Sequence, residues 1–348
     1  MPKLRANYYA GRKEAALQVA MQIAEMFDSA YVWQKQGQMA EMATVYDTQG
    51  KEMQIARQQA KLSQQRLWGM VLVLVLVTIF FVIYTLYRRH TQKRMAEMQV
   101  AQERIESELR IARDIQMSMV PSVFPNVEGL DMYASMTPAK EVGGDLYNFL
   151  WKGDMLYFCI GDVSGKGVPA SLFMTLATRG FLSLASTGKT PAEIATRMNA
   201  ELSTNNEMGM FVTMFICMYD LKQGRIEYCN AGHNPPVIGN AEGQYAFLDV
   251  KEANAPIGLW PDLEYVGEEM DLPSGGIMLL YTDGLNEAEN RQQEQYGEDR
   301  IIQLMTSHAS LSMRDIIEAL KADTDQFRDG AEQNDDLTML AFRITNRQ

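Results

Sequence analysis

MLYFCIGDVSGKGVPASLFM, residues 155–174, joins a run of six apolar or aromatic residues to a short loop carrying three glycines and one lysine. The run reads as a strand buried on both faces, and the segment from Val168 reads as a helix with Pro169 in its first turn. A glycine-rich turn between strand and helix is where nucleotide phosphates are often held. The phosphate loop, however, requires G-x-x-x-x-G-K-[ST]. Here only three residues separate Gly161 from Gly165, and Lys166 is followed by Gly167, so the pattern fails. What remains is an aspartate, Asp162, at the end of a rigid strand, with glycines that let other groups approach it closely.

Outward from this stretch the chain alternates in blocks. Runs with β character lie at 130–137, 145–151, 155–161, 211–220, 225–230, 245–249, 277–281 and 337–344. Helical stretches lie at 168–186, 190–204, 298–307 and 312–328. Strands come in groups and helices in pairs, which predicts a layered α+β domain with mainly antiparallel sheets and not a βαβ repeat. Acids recur at the ends of these strands. Asp145 follows EVGG, Asp162 follows YFCIG, Asp283 follows IMLLYT, and Asp335 and Asp336 precede LTMLAF. Strand ends meeting at one sheet edge bring such carboxylates together, where like charges resist joint ionisation. A divalent cation removes that cost, and carboxylates, carbonyls and water are the ligands Mg²⁺ and Mn²⁺ prefer. Gly143 and Gly144 before Asp145, and Gly165 and Gly167 after Asp162, fit that reading. GGDLY at 143–147 lacks the second acid of the GGDEF signature of diguanylate cyclases, because Leu146 stands in its place.

The N-terminal third is different in kind. LWGMVLVLVLVTIFFVIYTLY, residues 67–87, has no charged residue across 21 positions, enough to span a bilayer as a helix. Trp68, Tyr84 and Tyr87 suit its interfaces, and Arg88 and Arg89 follow at once, which favours a cytoplasmic C-terminal side. The expectation is a single-pass protein of the cell (inner) membrane. Residues 1–66 read as helical, and ANYYAGRKEAALQVA (6–20) resembles the end of a tetratricopeptide array, with Gly11 at a helix–helix turn and Ala16 at a small packing position. One repeat cannot bury its own core, so it needs a partner or further repeats. Residues 88–120 form a linker. Met95, Met98, Ile105, Leu109, Ala112 and Met119 fall on one a/d seam, with Gln102 and Gln116 as polar interruptions, which predicts a short parallel coiled coil and a homodimer. Ile111 and Ile115 make a second apolar pair, expected to face the following domain.

Composition narrows the function. Residues 119–348 carry 16 Lys and Arg against 33 Asp and Glu, a balance of −17. A region that acidic repels nucleic acid. Cys159, Cys217 and Cys229 form no C-x-x-C pair, lie in or beside apolar runs and are expected to be buried thiols.

Six motifs in register carry a family resemblance: EVGGDLYNF, IGDVSGKGVPASLFM, NAGHNPPVI, APIGLW, YTDGLNEAEN and NDDLTML. Residues 112–345 resemble the SpoIIE-type branch of the protein phosphatase 2C family, and ELRIARDIQMSMVP (108–121) is similar to the linker helix of stress-response sigma-regulator phosphatases. The resemblance implies an α/β/β/α sandwich over 121–348 and hydrolysis of phosphoserine or phosphothreonine by a water activated on two Mn²⁺ or Mg²⁺ ions. It implies that Asp162 bridges the ions, that the Val163 carbonyl, Asp283 and Asp335 are further ligands, that Asp145 ligates directly or through water, and that Asp336 ligates or orients. Asp162, Asp283 and Asp335 are then the catalytic set. Ser164 stands where eukaryotic members have a histidine acid, and Lys140 is the nearest basic residue for a substrate phosphate. His233 is weighed as an acid against a turn-forming role, and Glu287 as a neighbour of the ligands against a helix-start residue. Gly165, Lys166 and Gly167 lead into a regulatory switch helix, with Lys166 at the surface. The implied partner is a phosphoprotein, typically a STAS-type anti-anti-sigma factor. The competing reading is a phosphatase-like scaffold that binds a phosphoprotein without cleaving it, and the intact aspartate set weighs against it.

Overall fold

The computed structural model describes residues 1–124, 127–240 and 243–345. The chain divides into two units, residues 1–98 and 99–348, and each stands by itself below. In the first unit, α1 (Pro2–Tyr9) turns into α2 (Lys13–Met119). Gly11 makes that turn with φ +75°, a left-handed conformation that favours glycine. Ala16 is buried beside it. Residues 67–87 are helical and every one is exposed. With a mean hydropathy of 2.8 over its most apolar window, this part of α2 is long and apolar enough to cross a membrane. At 1.5 Å per residue it measures about 31 Å.

The second unit holds the end of α2 and a sandwich. Its elements run β1 (Leu130–Thr137), β2 (Leu146–Lys152), β3 (Met155–Val163), α3 (Val168–Thr187), α4 (Pro191–Leu202), β4 (Val212–Asp220), β5 (Arg225–Ala231), β6 (Val237–Gly239), β7 (Tyr245–Phe247), β8 (Glu268–Asp271), β9 (Ile277–Tyr281), α5 (Asp283–Asn286), α6 (Glu298–Ser307), α7 (Met313–Arg328) and β10 (Leu337–Ile344). One antiparallel sheet has the order β1-β10-β9-β6-β7, the other β2-β3-β4-β5-β8. Helices α3 and α4 cover the second sheet, and α6 and α7 cover the first. The expected α/β/β/α layering is therefore what forms.

Alternation explains the layers. On β10, Leu337, Met339 and Ala341 face the cluster under α6 and α7, whereas Leu340, Phe342 and Ile344 face the opposite sheet. Phe158 and Phe342 meet edge-to-face across the sandwich at 4.8 Å between ring centres. With both faces of each sheet covered, central strands such as β3 are apolar almost throughout, which is why they read as continuous runs. Cys159, Cys217 and Cys229 are buried free thiols as expected. α3 also passes a length-and-composition test for a membrane span. It is a core helix, with Phe173, Met174, Ala177 and Phe181 buried.

The linker departs from expectation. Its apolar seam divides in function: Met98 and Ile105 are exposed, whereas Gln116 is buried and Leu109, Ala112 and Met119 are partly buried. Asn148 donates from Nδ2 to the Met119 carbonyl at 3.4 Å, and the Tyr147 hydroxyl donates to the Pro121 carbonyl at 2.8 Å. The pair expected to face the domain, Ile111 and Ile115, is instead 59% exposed at both positions. The helix turns its polar Gln116 inward because the domain offers that side chain a backbone partner.

Candidate metal centre

Antiparallel pairing builds the site. Leu146 pairs with Gly161, so the start of β2 lies beside the end of β3. Tyr281 pairs with Met339, so the end of β9 lies beside the start of β10. Asp145, Asp162, Asp283, Asp335 and Asp336 thus arrive at one edge of the sandwich from four strand ends.

Asp145 is buried and accepts a hydrogen bond from the Thr282 hydroxyl at 2.8 Å. Burial, then the charges of Asp162 and Asp336, push its carboxyl well above the usual range. Burial also lifts Asp162, aided by Asp283, Asp335 and Asp336, to about 7. Asp283 opens α5 and is raised by burial, then by Asp335 and Glu287. Asp335 accepts the Asp336 amide at Oδ1 (2.9 Å), and its Oδ2 lies 2.8 Å from the Lys166 ammonium. Asp336 is used differently. Its Oδ1 accepts from the Ala139 amide at 2.8 Å and its Oδ2 from the Gly144 amide at 2.7 Å, so it fastens the 139–145 loop.

The glycines matter here through crowding. A β-carbon on Gly144 would lie 2.9 Å from the Val163 carbonyl oxygen, and one on Gly143 would collide with the Asp336 carboxylate. The two glycines leave a cradle that puts the Val163 carbonyl beside the acids. Gly165 (φ +90°) and Gly167 (φ +77°) serve conformation instead, since no atom lies within 4 Å of a β-carbon placed there.

The donor set fits hard divalent cations: all oxygen, carboxylates too close to ionise together, and one carbonyl in a cleared space. Among the described residues no three Asp, Glu, His or Cys side chains converge on a single point.

The remaining sequence candidates separate cleanly. The Ser164 hydroxyl accepts the Phe211 amide at 3.0 Å and the Ser164 amide donates to the Phe211 carbonyl at 2.8 Å, so Ser164 ties the loop down. His233 closes a turn with Asn230 through two hydrogen bonds of 2.8 and 2.9 Å, which is the turn-forming role. Its Nδ1 lies 2.9 Å from the Thr213 hydroxyl, and burial pushes the imidazole down to about 4. Glu287 caps the C-terminal end of α5, not a helix start, and acts on Asp283 by charge. Lys140 is exposed and forms no ion pair among the described residues. Lys166 is exposed, as expected, and also reaches Asp335 and donates to the Asn334 carbonyl at 2.7 Å.

Three residues escaped the sequence reading. Thr282 orients Asp145, and its Oγ1 accepts the Thr338 amide at 3.1 Å. Thr213 connects His233 to the strand bearing Asp162. Gln116 grips Gly143 from both sides, accepting its amide at 3.1 Å and donating to its carbonyl at 2.7 Å. A polar residue inside an apolar stripe was the available signal for Gln116, and it points equally to a coiled-coil interior.

Known proteins resemble this chain in sequence and in fold. Phosphoserine phosphatase RsbU of Bacillus subtilis is 28% identical over 243 residues, 70% of this chain and 71% of the relative. The SiaA-PP2C domain of Pseudomonas aeruginosa superposes with a TM-score of 0.63 at 24% identity, covering 70% of this chain and 98% of that domain, and shows the fold to be of the PP2C type. The RsbU and RsbW domains of a Mycobacterium tuberculosis protein match with a TM-score of 0.57 at 28% identity, over 66% of this chain and 64% of that one. The family model described as Stage II sporulation protein E (SpoIIE) matches residues 152–345, more than half of the chain, and the chain belongs to that family.

Proposed function

We propose that this protein is a metal-dependent protein serine/threonine phosphatase acting on a phosphoserine or phosphothreonine of a signalling protein, in the regulation of a sigma factor. The observation that carries the reading is that Asp145, Asp162, Asp283 and Asp335 lie at one sandwich edge, close enough for their charges to act on one another. In this reading Asp162, with the Val163 carbonyl, Asp283, Asp335 and Asp145, would hold two Mn²⁺ or Mg²⁺ ions. Asp336, whose oxygens hold two amides, positions the 139–145 loop. When bound, the cations supply the charge that makes a water nucleophilic near neutral pH and offsets the negative phosphoryl oxygens. The chain's own residues hold the geometry: Thr282 orients Asp145, Gln116 and Asp336 brace the loop, and Gly144 keeps the carbonyl accessible. Lys140 is the candidate contact for the substrate's phosphate. The substrate class we favour is a phosphorylated STAS-type anti-anti-sigma factor.

The domain plan we favour is a tetratricopeptide-like helical remnant at 1–66, a membrane span at 67–87, a linker at 88–120 that pairs two copies, and the phosphatase domain at 121–348 on the cytoplasmic side of the cell membrane. The full chain in detergent should hydrolyse an aryl phosphate and a phosphoserine peptide only with Mn²⁺ or Mg²⁺. Asp283→Asn should lower kcat by at least about a hundredfold, in line with losing a charge-stabilising group. An unchanged rate in that variant overturns the site, and a metal-loaded wild type that binds phosphoprotein without hydrolysis supports the scaffold reading instead.

A further inference from the structure

The acidic edge already contains a cation of its own. Lys166 Nζ lies 2.8 Å from Asp335 Oδ2 and 2.7 Å from the Asn334 carbonyl. The other oxygen of Asp335 is occupied by the Asp336 amide. Lys166 thus holds the Asp335 oxygen that carries no backbone hydrogen bond, the freer of the two to meet an ion. No other Lys or Arg makes an ion pair with Asp145, Asp162, Asp283, Asp335 or Asp336 among the described residues. The lysine is also free to leave. Its side chain is 47% exposed, and it sits between two glycines with left-handed φ, each with open space where a β-carbon would lie. An exposed pair of this kind is weak enough for a divalent ion to displace.

We propose that Lys166 is a tethered counter-cation that occupies Asp335 until a divalent ion displaces it, setting a threshold for metal loading. The inference rests on the reading of this edge as a metal centre. Removing one positive charge beside a divalent ion in screened water changes its affinity by about tenfold. Mn²⁺ binding is measured directly on the full chain in detergent, by the paramagnetic resonance signal of free Mn²⁺. Lys166→Gln should bind Mn²⁺ about tenfold more tightly than wild type, and Lys166→Arg should stay near wild type. Independently, acetylation of the Lys166 amine by an activated ester, followed by peptide mass spectrometry, should become faster when Mn²⁺ is added. Equal or weaker Mn²⁺ binding by Lys166→Gln overturns the proposal, as does an amine whose reactivity is unchanged or lowered by Mn²⁺. In either case Mn²⁺ binding by wild type leaves the metal centre standing. If neither wild type nor variant binds Mn²⁺, both readings fall together.

Discussion

Thr282 shows how much of the site depends on residues with no chemistry of their own. Its hydroxyl donates to Asp145 and accepts from the Thr338 amide, which fixes a buried carboxylate that burial drives toward its neutral form. Thr282→Val should weaken Mn²⁺ binding by about tenfold, the usual scale for losing a group that orients a ligand, while the fold persists. Calorimetric titration of Mn²⁺ checks this. His233 supplies a pH signature. Burial holds it near 4, against 6.5 for the free side chain. The unfolded chain takes up a proton that the folded one resists, so stability present above about pH 6.5 is lost as the pH falls toward 4. One such group accounts for ~3 kcal/mol. His233→Asn should lose less stability than wild type between pH 7 and pH 4.5, read from urea midpoints. Lys140→Ala should raise KM for a phosphopeptide severalfold and leave kcat near wild type, because an exposed lysine contributes binding and not chemistry.

At the scale of elements, β3 and β10 were legible and the linker helix only half so. Apolar strands that end in aspartate announced both the sheets and the acids, since a strand's period and its exposed end are local properties. The capping box of α4, in which Thr190 and Glu193 exchange hydrogen bonds of 3.0 and 3.3 Å, is likewise local. Short strands β6 and β8 were not visible, because three or four residues carry too little pattern to distinguish them from loop. The linker failed for another reason. Its two apolar faces are equivalent by periodicity, and only the domain it meets selects between them. The face with Gln116 was taken up by Gly143, leaving Ile111 and Ile115 exposed. If copies of the chain pair through this helix, the exposed pair is the contact. Ile111→Asp with Ile115→Asp should then shift the detergent-solubilised chain from dimer to monomer in sedimentation without lowering the melting temperature of the 121–348 domain.

Across the whole molecule apolar surface is placed in two ways. Residues 67–87 expose a continuous apolar surface that water does not tolerate at this length, whereas the sandwich buries its own. Deleting 67–87 should move the protein from the membrane pellet to the soluble fraction of a cell lysate and keep metal-dependent hydrolysis. Retention in the pellet in folded, active form would count against the span.

Composition and order alone determined the class of fold, the apolar span and the identity of the acids. Each follows from periodicity, from hydrophobic length or from residue type at a strand end, all readable within about twenty positions. Tertiary structure decided which acid does what. Asp335 and Asp336 are adjacent in sequence, yet one offers an oxygen to a cation and the other spends both oxygens on backbone amides. It also joined Lys166, still exposed, to the acidic edge and moved Gln116 from a helix seam to the Gly143 loop. Those assignments depend on which groups 27 to 197 positions apart come within hydrogen-bond distance, and only the packed sheets bring them there.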